Sequence, residues 1–99
     1  MDIIKKNENG TATLSIVGKV DSVSAPQLEE ALLPTFGEAE QVVLDFSEVT
    51  YVTSAGLRVL ITGHEAAQTR EASLVLRHVS EDVMEVLDMT GFSSFLVIE

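Results

Sequence analysis

A chain of 99 residues is long enough for one domain with its own core, since a domain of this size buries roughly two thirds of its unfolded surface. Its 16 acidic against 6 basic side chains leave a net charge of -10, which repels phosphate backbones and anionic headgroups and argues against nucleic acid or membrane as partners. Without cysteine there is no disulfide, thiol nucleophile or thiolate metal site, and without an apolar signal core or membrane-length run a soluble, cytoplasmic protein is expected.

The chain opens on two extended runs around Asn9-Gly10, a dipeptide that tolerates the positive φ angles of a tight hairpin. The second arm alternates Ala12, Leu14 and Ile16 with Thr11, Thr13 and Ser15 and is expected to end at Gly18. In SVSAPQLEEALLPTFG, Ser24 is placed as a cap with Gln27 three residues on, Pro26 falls in the first turn, and Leu28, Ala31 and Leu32 recur at helical spacing. Pro34 either bends the last turn of that helix or ends it near Leu33. QVVLDF reads as a short strand buried on both faces. From Ser54 to Arg70 the apolar residues Leu57, Leu60, Ile61 and Ala67 predict the longest helix. SLVLRH predicts a fourth strand, SEDVMEVLDMTG a capped helix with Val83, Val86 and Leu87 on one face and Gly91 as its stop, and FLVI a last strand. The order ββαβαβαβ predicts an α/β domain with one mixed, mostly parallel sheet and helices packed on it.

In such a sheet the carboxyl ends of the parallel strands share one edge, where binding groups collect at a change in strand order. Asp21 after the second strand, Ser47 to Ser54 after the third and Arg77 to Ser80 after the fourth are therefore expected to line one site. Ser54 enters the longest helix, whose start offers unpaired N–H groups and a partial positive charge that suit an anion. The competing reading, stronger on spacing alone, is that Ser54 caps the helix, worth about 1 kcal/mol. Gly56 either lets a partner or phosphate approach or relieves crowding against the sheet. Asp21 either caps a turn or faces Ser54 and orients its hydroxyl, and Asp45 is expected to satisfy backbone donors in the loop that follows it.

His64 stands ten residues beyond Ser54, about 15 Å along the helix axis, too far to act as its base. It reads as a core or boundary histidine; His78 beside Arg77 reads as solvated, and neither has a third metal ligand near it. There is no Gly-x-Ser-x-Gly elbow, phosphate-binding glycine loop or dedicated carboxylate pair, so an enzyme is the least supported class.

LDFSEVTYVTSAGLRVL, with GKVDSVSAPQL before it and VMEVLDMTGFSSFLVI at the end, resembles the STAS domain family, specifically the bacterial anti-sigma factor antagonists. The resemblance runs through the whole chain, 1–99, and implies a single STAS-like domain that is not an enzyme. In that family an anti-sigma factor that is itself an ATP-dependent serine kinase phosphorylates the serine of the Ser-small-Gly-Leu motif, which here is Ser54. The unphosphorylated antagonist binds the anti-sigma factor and frees the sigma factor; a metal-dependent PP2C-type serine phosphatase restores it. The same match implies a partner surface of Asp21, Ser22, Glu48, Thr53, Ser54, Ala55, Gly56, Leu57 and Arg58. It implies no cofactor, ATP and Mg²⁺ belonging to the kinase, and a monomer or weak dimer. Where many members carry Asp, Asn or Ser before the modified serine this chain has Thr53, a second candidate acceptor. A phosphate would add roughly 1.5 to 2 negative charges, facing Asp21 or Glu48 in a shared interface. The alternative on the same fold is a constitutive assembly subunit of an ABC-type lipid transport complex, in which Ser54 only caps; the Thr-Ser-Ala-Gly-Leu stretch favours the switch.

Overall fold

Asn9 and Gly10 adopt φ of 52° and 80°, so the hairpin expected there closes in two residues. In the computed structural model, which describes residues 1–99, β1 (Asp2–Glu8) pairs antiparallel with β2 (Thr11–Val20). The second strand does not end at Gly18. That residue, at φ 110° beside a register shift, bends the strand and lets it run on to Val20.

The first helix, α1 (Ala25–Thr35), follows a cap position at Ser24 whose side chain does not cap it. The Ser24 hydroxyl donates to the Lys19 carbonyl at 2.7 Å and accepts the Asp21 N–H at 2.9 Å. Gln27 closes no capping box; its amide donates to the Met1 carbonyl at 3.2 Å. Pro34 does not end the helix, because the one N–H it lacks falls in the last turn, which carries on to Thr35.

The largest departure is β3 (Gln41–Val52), twelve residues rather than the six of QVVLDF. Ser15 pairs with Asp45 but Val17 with Glu48, so β3 holds one extra residue at a bulge there. Beyond it β3 is paired only with β2, ending where Val20 meets Val52. Then follow α2 (Ser54–Thr69), β4 (Ser73–Arg77) and α3 (Glu81–Met89). The Ser80 hydroxyl caps α3 by accepting the Val83 N–H at 3.2 Å, and Gly91 at φ 81° closes its end. A short 3-10 turn (Phe92–Ser94) leads to β5 (Val97–Ile98).

The sheet order is β1-β2-β3-β4-β5, antiparallel only at β1-β2. Right-handed crossovers that step in one direction put all three helices on one face. No change of strand order exists, so the crevice expected at one is absent. Leu14, Leu44 and Leu76 form a register row under the helices and join Leu28, Leu32, Leu60 and Leu87 in the core. The opposite face carries the row Thr13, Val43, Val75 and Val97. Its central members Val43 and Val75 are buried, although they lie outside the helix-side core cluster.

On α2, Leu57, Leu60 and Ala67 are buried as expected, but Ile61 is 39% exposed. The inward line runs instead through Gly56, Leu60, Gly63 and Ala67. A β-carbon at Gly63 would stand 2.7 Å from Leu32 Cδ2, so α1 and α2 pack closely there. No helix is long and apolar enough to cross a membrane.

Candidate functional site

The chain passes from β3 into α2 through Thr53 alone. Thr53 is extended, with φ -93° and ψ 178°, and holds the capping position. Its N–H donates to the Val20 carbonyl at 2.9 Å, and its hydroxyl is turned to that same carbonyl at 3.4 Å. No side chain caps the helix. Ser54 is the first helical residue, exposed, and its hydroxyl forms no hydrogen bond with the protein. The reading of Ser54 as a cap is therefore corrected, because capping needs the non-helical backbone that Thr53 supplies. Leu57 is the first residue whose N–H bonds within the helix, to the Thr53 carbonyl at 2.9 Å. The N–H groups of Ser54, Ala55 and Gly56 are the orphan donors of a helix start.

Gly56 resolves in favour of crowding. A β-carbon there would lie 2.8 Å from both the carbonyl oxygen and Cγ1 of Val20 and 2.9 Å from Val52 Cγ1. Both Gly56 and Leu57 are buried, so they shape the site from beneath and do not reach a partner's surface.

Because Val20 and Val52 are register partners, the loop after β2 arrives beside the start of α2. Within it Asp21 Oδ1 accepts the N–H groups of Val23 and Ser24, both at 3.0 Å, and makes no hydrogen bond to Ser54. Asp21 caps its own turn. The Ser24 N–H, foremost, holds the Asp21 carboxyl below its ordinary value.

The segment Arg77–Ser80 does not join this site. In register Arg77 stands beside Asp45, and β3 continues for seven more residues, about 23 Å of strand. Glu48 is likewise displaced: four residues before the strand's end, it is about 13 Å back along β3. It also lies on the helix-free face, beside Val17. The common edge failed for one reason: Ser47 to Val52 is strand, not loop.

Asp45 takes up His78 from the displaced segment. It lies within β3 rather than at its end, and its Oδ1 accepts the Ser47 N–H at the bulge at 3.0 Å, with His78 Nδ1 also at 3.0 Å. Burial pushes the Asp45 carboxyl up, but the Ser47 N–H and His78 outweigh it and hold it below its usual range. Arg77 donates to Glu99 at 2.7 Å, and His64 packs on the Phe95 ring at 5.0 Å between centroids. No group of three or more His, Asp or Glu side chains is placed to hold a metal.

Together with Glu38, which the Lys5 ammonium holds below its ordinary value, these two depressed carboxyls give the fold an acid limit. Their contribution is full above the unfolded value of about 3.9 and is lost as pH falls through the lower folded values. Urea midpoints should therefore hold steady down to about pH 5 and drop below about pH 4. In Asp21→Asn and Asp45→Asn the drop should be shallower; an unchanged acid slope in both would exclude these two groups as its source.

Around Ser54 the structure assembles residues whose importance spacing did not reveal. A groove of about 320 Å³ runs between α1 and α2, walled by Ser22, Pro26 and Glu29 on one side and Ala55, Arg58 and Thr62 on the other. Ser54, Arg58 and Ile61 are all exposed on α2, and their offsets of four and seven residues put them on one stripe. Val23, 86% exposed, projects from the neighbouring loop. The sequence signal for Ile61 was its seven-residue offset from Ser54, masked because it also fits the general apolar spacing of α2. A second, wider cleft of about 540 Å³ lies at the other end of the sheet, by Asn9, Gly37, Glu40 and Arg70, remote from Ser54.

The profile of the family described as "Mlab, STAS domain" matches residues 5–98. The chain is 30% identical over 95 residues to the anti-sigma-B factor antagonist of Bacillus subtilis (strain 168), covering 96% of this chain and 86% of that protein. Among solved structures, the anti-sigma factor antagonist SpoIIAA in its unphosphorylated form matches with a TM-score of 0.79 at 12% identity, over 99% of this chain and 87% of that one. The Bacillus cell fate determinant SpoIIAA in the phosphorylated form matches with a TM-score of 0.76 at 12% identity, over 99% and 91%. At such identities the structures speak for the fold.

Proposed function

The chain belongs to the STAS domain family, and from that premise we propose that it is a cytoplasmic anti-sigma factor antagonist switched by phosphorylation of Ser54. The observation that carries this reading is the free, exposed Ser54 hydroxyl at an uncapped helix start. Thr53 is the poorer acceptor, since it is half-buried with its hydroxyl against the Val20 carbonyl.

In the transfer, Ser54 Oγ attacks the γ-phosphorus of ATP held by the partner kinase. The new O–P bond forms as the bond to the β–γ bridging oxygen breaks, and ADP leaves. The hydroxyl proton passes to a base on the kinase, because Asp21 is engaged by its own turn and His64 lies against Phe95. ATP and Mg²⁺ stay with the kinase; this chain contributes the acceptor and the surface that positions it.

The product phosphate is accommodated where it forms. The orphan N–H groups of the first turn and the partial positive charge of a sixteen-residue helix favour an anion. Arg58, four residues on, faces it across one turn. Against a partner, the added charge must be desolvated beside Ser22, Val23 and the α1-α2 groove. Unphosphorylated protein binds the anti-sigma kinase and releases the sigma factor; a PP2C-type phosphatase resets it. The fold common to unphosphorylated and phosphorylated SpoIIAA supports a switch that acts through local charge.

Intact mass after incubation with an anti-sigma serine kinase from the same genome, Mg²⁺ and ATP tests the assignment. One phosphate should appear on wild type and Thr53→Ala and none on Ser54→Ala. Phosphate retained by Ser54→Ala would move the acceptor elsewhere. No modification, together with stable copurification with an ATPase subunit, would replace the switch with an assembly role.

A further inference from the structure

We propose that the free edge of β1 pairs antiparallel with the same edge of a second copy of this chain, about a two-fold axis at Ile4. Strand β1 is hydrogen-bonded on one side only. Its two-residue turn makes Glu8 and Thr11 a hydrogen-bonded pair. Alternation from that pair sends the backbone bonds of Glu8, Lys6, Ile4 and Asp2 inward to β2 and turns the N–H and C=O groups of Ile3, Lys5 and Asn7 outward. An edge of this kind is a template for another strand.

Side-chain order selects both the occupant and the register. Asp2, Ile4 and Lys6 stand opposite Val17, Ser15 and Thr13, on the helix-free face, and all three are exposed, Ile4 by 63%. Outward groups must meet outward groups, so the allowed antiparallel registers differ in steps that keep Ile3, Lys5 and Asn7 in the bonded rows. With the axis at Ile4, Ile3 bonds the second copy's Lys5, Ile4 packs on its own counterpart, and Asp2 faces the second copy's Lys6 twice. With the axis moved to Lys5, Asp2 faces Glu8 twice and Ile4 faces Lys6. With it moved to Ile3, Asp2 faces Ile4 and Lys6 has no counterpart in the strand. Only the first register joins opposite charges and buries the exposed isoleucine, and a two-fold interface of this form is self-complementary.

The charge of the whole chain points the same way. At -10 overall, two copies repel. Strand β1, however, holds Lys5 and Lys6 against Asp2 and Glu8, a net charge of zero that includes two of the six cations. Edge lysines ordinarily keep strands apart; here Asp2 of the second copy neutralises Lys6, and Lys5 is already paired with Glu38. Strand β2 separates this edge from the strand leading to Ser54, so association leaves both switch serines clear of the axis.

Sedimentation equilibrium of the full chain from micromolar to millimolar concentration should show a reversible monomer-dimer equilibrium. Lys6→Asp and Asp2→Lys should each weaken it about tenfold, and the double swap Asp2→Lys/Lys6→Asp should restore it. Since the chain has no cysteine, Ile4→Cys should form a disulfide-linked dimer on mild oxidation. Facing non-hydrogen-bonded residues have Cα atoms about 4.5 Å apart, within disulfide reach. Lys6→Cys, offset from the axis, should not. A monomer throughout the range overturns the proposal. So does a dimer indifferent to the charge swap, which would place association on the helix-free face or elsewhere.

Discussion

Ser54→Glu should lower affinity for the anti-sigma partner by about a hundredfold, equivalent to roughly 2.8 kcal/mol, while the unfolding midpoint should stay within a few degrees of wild type. The two readouts separate because the same charge meets two environments. In the free protein Glu at position 54 lies in the first turn of α2, whose N–H groups at Ser54, Ala55 and Gly56 have no helical acceptor. An acidic side chain there is worth about 0.3 to 1 kcal/mol in favour of folding. In the complex it would lose water next to a partner shaped to accept a neutral hydroxyl, beside the exposed Val23 and Ile61, a cost larger than the helix start and Arg58 return. Calorimetric titration with the kinase, paired with thermal melts of wild type, Ser54→Ala and Ser54→Glu, measures both. Undiminished binding by Ser54→Glu, with Ser54→Ala also unaffected, would remove this serine from the interface.

The second large effect concerns the support beneath the serine. Helix propensity alone would make Gly56→Ala stabilising by about 1 kcal/mol. Packing reverses the sign. The new β-carbon would stand 2.8 Å from the Val20 carbonyl oxygen, and that carbonyl cannot turn aside without loosening its bond from the Thr53 N–H. Overpacking typically costs about 1 to 3 kcal/mol, and backbone contacts fall at the upper end. We expect a net loss of about 1 to 2 kcal/mol, or roughly 4 to 16 °C in midpoint for a domain of this size. Gly63→Ala is the contrast, because its closest obstacle is Leu32 Cδ2, the mobile end of a side chain. Its loss should be smaller, and its effect on partner binding nil. Equal midpoints for the two variants would show that the carbonyl contact is not what constrains the helix start.

The elements that sequence reading placed well are those whose signals are local. The turn at Asn9-Gly10 depends on two residues that tolerate positive φ. Ser80 and Gly91 bracket α3 through contacts within three or four positions, and the Thr-Ser-Ala-Gly-Leu stretch marks the start of α2. The order of elements and the candidate serine were thus written in local residue patterns. It left Ser54 open between cap and acceptor because that choice turns on a single backbone conformation, the extended Thr53 held by Val20 from another strand. It misjudged β3 because the bulge opposite Ile16 breaks the alternation that would have announced six more strand residues. Which segments surround the serine was set by strand register, which carried Arg77 and Glu48 away and brought the Asp21 loop close. Helix rotation likewise turned Ile61 outward and Gly56 inward. Contacts between neighbours in sequence are written in the chain, whereas register and rotation are set by the packing of elements far apart in it.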